Sequence, residues 1–242
     1  MGLLSVCSPA FYPNTNACEA LSRSSRHYGI NVKFYGIGVP WDGFFNSKLV
    51  GLLSHAEAAT EKYILCVDAC DSVIIATEAE IVASFLEAAN DSTILIQQDR
   101  FCFPHWGYKL WFDANVPEKY MATGVVGKYP CGGCIMAERN VLIDALKKMI
   151  EARKQCPPWM PGYDDDQGWW EIGMVNGFFN ATIDFRARLS ACLNQAKLHW
   201  FEHHDDRLIV CGAESRVLHF SGRSKGRVMK AYLKRIRGIG IW

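Results

Sequence analysis

The amino-acid sequence predicts an α/β fold whose central sheet is mainly parallel and flanked by helices, and three observations carry that expectation. Strand-like and helix-like patterns alternate through the first half of the chain. Short continuous apolar runs, residues 63–67 above all, have the character of strands buried on both faces. Half of the 242 residues are apolar and 21% are charged, a composition that buries a substantial core and excludes a disordered or minimal stapled chain. No internal repeat, low-complexity tract or linker breaks the pattern, so one domain over residues 1–242 is expected.

The elements follow in order. A first strand over residues 3–7 ends at Ser8-Pro9, and a helix over about 15–28 stops at Gly29. A second strand, 31–35, opens into the loop Gly36-Ile37-Gly38. A helix over about 47–59 then leads into the buried strand 63–67, which ends in Asp68-Ala69-Cys70-Asp71. Residues 72–76, a helix over 78–89 and a strand over 93–96 complete the alternating half. From Gln97 to Pro130 the chain turns irregular, aromatic and glycine-containing, as stretches that carry or cover a site commonly do. Residues 132–137 read as a strand feeding a helix over 139–153, which Pro157-Pro158 terminates. A further helix starts near Asp164-Asp165-Asp166-Gln167, short strands are expected at about 208–211 and 216–219, and a basic helix at 227–237.

Ten cysteines in a chain with no basic, apolar leader and no run of eighteen apolar residues point to a reduced, cytoplasmic protein without a membrane span. Cys66, Cys192 and Cys211 read as small core residues. Eight basic residues and no acidic one follow Glu214, leaving 18 basic against 25 acidic residues in the first 214. The C-terminal end therefore faces polyanions, although a basic helix end also suits the helix dipole.

The chemistry-bearing residues cluster at strand ends. In open α/β sheets ligands collect beyond the carboxyl ends of strands, where Asp68 and Asp71 stand. Two such carboxylates can share a hard divalent cation and leave positions for phosphate oxygens; their alternative role is capping turns. His219, at a later strand end, is followed by the small-residue loop Ser221-Gly222-Arg223-Ser224 and Lys225. The imidazole can complete a metal site while the loop around Gly222 and Lys225 neutralise a diphosphate; a lone histidine is otherwise a hydrogen-bonded core residue. Cys131-Gly132-Gly133-Cys134 invites a zinc or redox reading, but it precedes a strand and has no second close pair. His203-His204-Asp205-Asp206 reads as a solvated turn before a metal cluster.

Taken together, the acidic strand end, the aromatic loop, Asp164-Asp165-Asp166-Gln167 and His219-x-x-Gly222-x-x-Lys225 resemble the glycosyltransferase domain of the procollagen lysyl hydroxylases and related collagen glycosyltransferases. The resemblance spans about residues 3–225. Gly36-Ile37-Gly38, Trp41-Asp42-Gly43 and Lys48 resemble that family's Gly-x-Gly, Trp-x-Gly and lysine, and Asp99 to Pro104 its acidic residue and Phe-Cys-Trp-Pro, with Phe103 in place of tryptophan. Pro130-Cys131-Gly132-Gly133 resembles Asn-Ser-Gly-Gly without the Asn and Ser. The resemblance implies a GT-A fold, a UDP-sugar donor, and Mn2+ (or Mg2+) held by Asp68, Asp71 and His219, with Lys225 on the diphosphate. It also implies a nucleoside over the first strand's end near Ser8 and Cys70.

Glycosyl transfer explains why those residue types are wanted. The leaving diphosphate gains negative charge that a cation and a lysine stabilise, and an inverting enzyme needs a carboxylate to take the acceptor's proton. Asp165 and Asp166 are the candidates, their alternative role being charge at a helix N-terminus. Trp106, Trp169 and Trp170 are either sugar and base platforms or packing residues. The acceptor is read as macromolecular. The chain also resembles transferases of hydroxymethylpyrimidine DNA modification in phages and kinetoplastids, and a flipped, hydroxymethylated base is favoured slightly over hydroxylysine. A nucleotide-sugar-binding protein without turnover and a metal-dependent phosphohydrolase are the readings from other classes.

Overall fold

The structure, a computed structural model, describes residues 2–118, 126–195, 197, 201–204, 207–210 and 212–238. Its centre is a six-stranded sheet of β1 (Leu4–Pro9), β2 (Val32–Tyr35), β3 (Tyr63–Val67), β5 (Ile94–Asp99), β6 (Tyr129–Glu138) and β7 (Ala181–Ile183), in the order β2-β1-β3-β6-β5-β7. Only β6 runs against its neighbours. All five residues of β3 are buried, and alternation sends Leu65 and Val67 into one core and Ile64 and Cys66 into the other.

Helices cover both faces. The first core takes in Leu21 of α1 (Glu19–His27) and Ile81 and Phe85 of α3 (Glu78–Ala89). A capping box starts α3: Thr77 Oγ1 accepts from Glu80 N–H at 3.4 Å while Thr77 N–H donates to the Glu80 carboxylate at 2.9 Å. The second core packs α2 (Gly51–Ala58), α5 (Arg139–Gln155) and α6 (Asp166–Val175) against the sheet. In α5 the buried Leu142, Ala145, Leu146 and Met149 recur with the spacing of a single helix face. A wide π-helical segment, Phe45–Val50, runs directly into α2 and carries Lys48.

A second sheet brings distant parts of the chain together. It consists of β4 (Ser72–Ile74), β12 (Val217–His219) and β8 (Ser190–Cys192) in the order β4-β12-β8. Its register pairs His219 with both Ser72 and Cys192, and Phe220 N–H donates to Asp71 O at 2.7 Å. Three further strands, β9 (Phe201–His204), β10 (Arg207–Val210) and β11 (Ala213–Glu214), form a small antiparallel sheet. The basic helix α7 (Arg227–Gly238) follows at once from the Gly222–Lys225 turn and buries Met229 and Tyr232.

Several expectations are corrected. The strand expected at 93–96 continues to Asp99, so Gln97 and Asp99 belong to the sheet. The stretch after it holds a 3-10 turn, Trp106–Tyr108, and the short helix α4 (Lys109–Ala114). Strands β7, β8, β9 and β11 were not expected; two- to four-residue strands have too little period to read. Cys211, Asp205 and Asp206 lie outside the described residues. Among the described residues no helix is long and apolar enough to cross a membrane.

One buried acid gives a stability prediction. Glu171 in α6 is 0% exposed and, among the described residues, accepts only His105 N–H and has an Oε1 with no partner. Burial pushes its pKa up to about 8, so the folded protein keeps a proton that the unfolded chain releases near 4.5. This stabilisation is complete below about pH 4.5 and is lost as pH rises through 8. Glu171→Gln imitates the protonated acid. The difference in unfolding free energy, variant minus wild type, is expected to grow by about 1 kcal/mol per pH unit between pH 5 and 8. Urea midpoints across that range check it, and a constant difference refutes the assignment.

Candidate active site

The cleft opens where β1 and β3 of the large sheet meet β12 of the small one. Asp68 and Asp71 leave the end of β3, and β12, paired beside β4, delivers His219 against them. His219 Nε2 stands 3.4 Å from Asp71 Oδ2 and 3.6 Å from Asp68 Oδ2, and one ligand atom from each of the three residues lies within 4.8 Å of the others. Lys225 Nζ is 2.7 Å from Asp71 Oδ2. Lys48, from the π-helical segment, bridges Asp68 Oδ1 at 2.8 Å and Asp166 Oδ2 at 2.7 Å.

The electrostatics follow from this crowding. Burial favours the neutral acid at Asp71, but His219 and Lys225 outweigh it and hold the carboxyl well below the usual range. Burial likewise opposes charge on His219, yet Asp71 and Asp68 raise its pKa well above the ordinary value. Burial raises Asp166 to about 6, against the attraction of Lys48. Asp99, buried at the end of β5, is pushed up to about 7 for the same first reason.

A divalent cation fits the Asp68, Asp71 and His219 set on the structure's own terms. The Nδ1–H of His219 donates to Gln97 Oε1 at 2.8 Å, which leaves Nε2 facing the two carboxylates, where a cation can take the place of its proton. Among the described residues Nε2 is buried and closes no hydrogen bond, and a hard, oxygen-rich pair with one imidazole suits Mn2+ or Mg2+. Gln97 reaches this position through an irregularity in the β5–β6 register between Ile96 and Gln97, a device that commonly re-aims a side chain.

Two lobes share Phe44, Lys48, Asp68, Asp71 and Lys225. One, of about 350 Å³, is walled by Phe11, Tyr12, Trp41 and Cys70. Phe11, Trp41 and Phe44 meet edge to face, with centroids 5.4 and 5.0 Å apart. The other, of about 360 Å³, is lined by Asp99, Phe103, Asp165, Asp166 and Gln167 and by the Gly132-Gly133 and Ser221-Gly222 segments. Gln167 ties its wall together, accepting from Gly132 N–H at 3.2 Å and donating to Phe103 O at 2.5 Å. A third cavity, toward Pro158 and Tyr163, shares Phe44, Phe103 and Asp165 with it.

Most of the sequence-derived site residues therefore line one cleft: Lys48, Asp68, Cys70, Asp71, Asp165, Asp166, His219, Gly222 and Lys225. Gly222 has φ +57, in the left-handed region, and a Cβ there would lie 2.7 Å from Asn194 Oδ1. Ser8 is a correction. It is fully buried and donates to Val67 O at 2.7 Å, so it braces β1 on β3 instead of facing a nucleoside. Trp169 and Trp170 are core residues and no platform, because the helix that Asp165 caps turns them inward onto the sheet. Trp106 is 60% exposed and lines none of these three cavities.

Sequence reasoning missed Gln97 and the role of Gly133. A Cβ at Gly133 would run into the imidazole ring of His219, so only glycine lets β6 pass beneath it. Gly133→Ala is expected to displace His219, weaken Mn2+ binding about tenfold or more, and lower stability by about 1–3 kcal/mol. Calorimetric titration with Mn2+ and thermal unfolding check both parts, and wild-type values would remove the steric argument.

The sequence profile described as the PLOD GT domain matches residues 5–154. No curated protein matches significantly. Among solved structures, a glycosyltransferase involved in the glycosylation of the major capsid of PBCV-1 superimposes with a TM-score of 0.54 at 12% identity, over 96% of this chain and 98% of that one. Glucosyl-3-phosphoglycerate synthase from Mycobacterium tuberculosis, solved with Mg2+ and UDP, gives a TM-score of 0.38 at 15% identity over 74% of this chain and 68% of that one. The capsid-glycosylating enzyme shares the fold, which is that of the GT-A glycosyltransferases. These matches lend no support to the resemblance to DNA-modifying enzymes.

Proposed function

The chain belongs to the PLOD GT-domain family of glycosyltransferases, and from that premise we propose that it moves a sugar from a UDP-sugar to a hydroxyl of a macromolecular acceptor, with Mn2+ or Mg2+ held by Asp68, Asp71 and His219. The observation that carries the reading is the convergence of two carboxylates, an imidazole Nε2 and Lys225 where the two lobes of the cleft meet. The cation, when bound, supplies Lewis-acid stabilisation of the leaving diphosphate.

The chain's own residues divide the remaining work. The aromatic lobe of Phe11, Tyr12 and Trp41 holds the nucleobase, with Cys70 beside the ribose. Lys225, 51% exposed in its side chain, swings between Asp71 and the diphosphate and adds a positive charge to the leaving group. The sugar occupies the second lobe. Asp166 is paired with Lys48 and positions, whereas among the described residues no ion pair engages Asp165. Asp165 also borders the third cavity, so it takes the proton of the incoming hydroxyl in an inverting transfer. The family match favours a protein hydroxyl of the hydroxylysine type as acceptor over the hydroxymethylpyrimidine base favoured by the sequence.

The test is incubation with Mn2+ and a panel of UDP-sugars, offering a hydroxylysine peptide, hydroxymethylcytosine DNA, hydroxymethyluracil DNA and unmodified DNA. Transfer to the peptide is the expected result. Transfer only to a modified base restores the DNA reading. Cation-dependent UDP binding without donor hydrolysis or any transfer makes the chain a nucleotide-sugar-binding protein and overturns the proposal.

A further inference from the structure

His219 has two ring nitrogens, and the second, Nδ1, faces sulfur as well as Gln97 Oε1. Cys131 of β6 and Cys192 of β8 are both buried, and Cys131 Sγ lies 3.8 Å from His219 Nδ1. The two sulfurs and an imidazole nitrogen of His219 all fall within 4.8 Å of one another. The partner of Cys131 is thus Cys192, sixty-one positions on, and not Cys134, which is buried in the first core. We propose that Cys131, Cys192 and His219 Nδ1 form a second cation site, one that takes a thiophilic divalent ion such as Zn2+ or Cd2+.

Spacing and ligand type support it. With metal–sulfur bonds of about 2.3 Å and metal–nitrogen bonds of about 2.0 Å, tetrahedral geometry sets neighbouring ligand atoms about 3.5–3.8 Å apart. The observed sulfur–nitrogen distance already matches the upper end of that range. Two thiols and an imidazole are a soft set, distinct from the two carboxylates on the far side of the ring. Cys131 and His219 both line the cleft, which provides an entry path and water for a fourth ligand. Asp99, another lining residue, adjoins Cys192 and offers an oxygen.

The protons balance simply. On binding, each thiol releases its proton to solvent, and the ring, held charged by Asp71 and Asp68, releases its Nδ1 proton and its bond to Gln97 while keeping the proton on Nε2. Nε2 then has no lone pair to offer. A soft cation on the sulfur side and a hard cation on the carboxylate side therefore exclude one another through a single imidazole. The sulfur site stands independently of transfer activity; only the exclusion rests on the carboxylate site proposed above.

Titration of the full chain with Cd2+ tests the two separately, reading thiolate-to-cadmium charge-transfer absorbance and, by electron paramagnetic resonance, bound Mn2+. One equivalent of Cd2+ should build the band. C131S should weaken Cd2+ binding about tenfold or more, C131S/C192S should abolish the band, and C134S should retain it. Cd2+ should weaken Mn2+ binding about tenfold in the wild type and by less in C131S/C192S. No band in the wild type, or a band that survives in C131S/C192S, overturns the site. A normal band with Mn2+ binding untouched overturns the assignment of Nδ1. Where the double variant does not fold, C131A decides alone: an unchanged band refutes the proposal.

Discussion

Asp71→Asn is expected to lower sugar transfer about a thousandfold or more and to remove most Mn2+ affinity, with little change in shape. Asp71 is 2% exposed and is the point on which His219 Nε2, at 3.4 Å, and Lys225 Nζ, at 2.7 Å, both converge. Exchanging one carboxylate oxygen for an amide keeps the volume while deleting the charge that holds either partner. Stabilising a developing diphosphate by a cation and a lysine contributes several kcal/mol, and each 1.4 kcal/mol is tenfold in rate, which sets the size of the loss. Mn2+ titration calorimetry and product formation with a hydroxylysine peptide measure the two effects. Wild-type cation affinity in Asp71→Asn would remove Asp71 from the cation site.

Lys48→Met is expected to behave in the opposite sense toward cations. Its side chain is 12% exposed and its ammonium lies between Asp68 and Asp166, whose attraction raises its pKa above the ordinary lysine value although burial opposes this. Removing one member of a buried ion pair leaves unpaired charge, a change that costs about 3–5 kcal/mol. Asp68 without its lysine presents more negative charge to the cleft, so Mn2+ should bind Lys48→Met more tightly than wild type. Added Mn2+ should then recover part of the lost stability by linkage. Transfer should still fall, because Asp166 loses the partner that positions it. Thermal unfolding with and without Mn2+ is the measurement, and an Mn2+ increment no larger than in the wild type would contradict this account.

The large sheet was legible because its strands obey simple rules. Tyr63–Val67 is buried end to end and reads as a central strand, and the acids beyond it stand where ligands gather in such sheets. The helix read over 139–153 was legible up to its proline stop and runs to Gln155, burying Leu142, Ala145, Leu146 and Met149. What joins Asp71 to His219 was not: it is the register of β12 on β4, and a pairing across nearly 150 residues leaves no local signature. Gln97 was obscured for a related reason, since an irregular register and not a sequence pattern turns it toward His219. Gly132-Gly133 looked like a degraded motif, whereas the second glycine is required by the ring above it. Trp169 and Trp170 were ambiguous because periodicity alone does not say which side of a helix faces the sheet.

The widened turn Phe45–Val50 has a consequence for how the chain tolerates deletions. Over that turn the helix advances by more than the usual 3.6 residues per revolution, which lets Lys48 point into the cleft while Leu49 and Leu52 remain in the core. Dropping one residue there would restore ordinary winding and remove the extra width that sets Lys48 apart from Leu49 and Leu52. Either the ammonium or the apolar anchor would then face the wrong way. Shortening by a single amino acid should accordingly do more harm here than in the exposed loops, although no side chain of the cleft is itself removed.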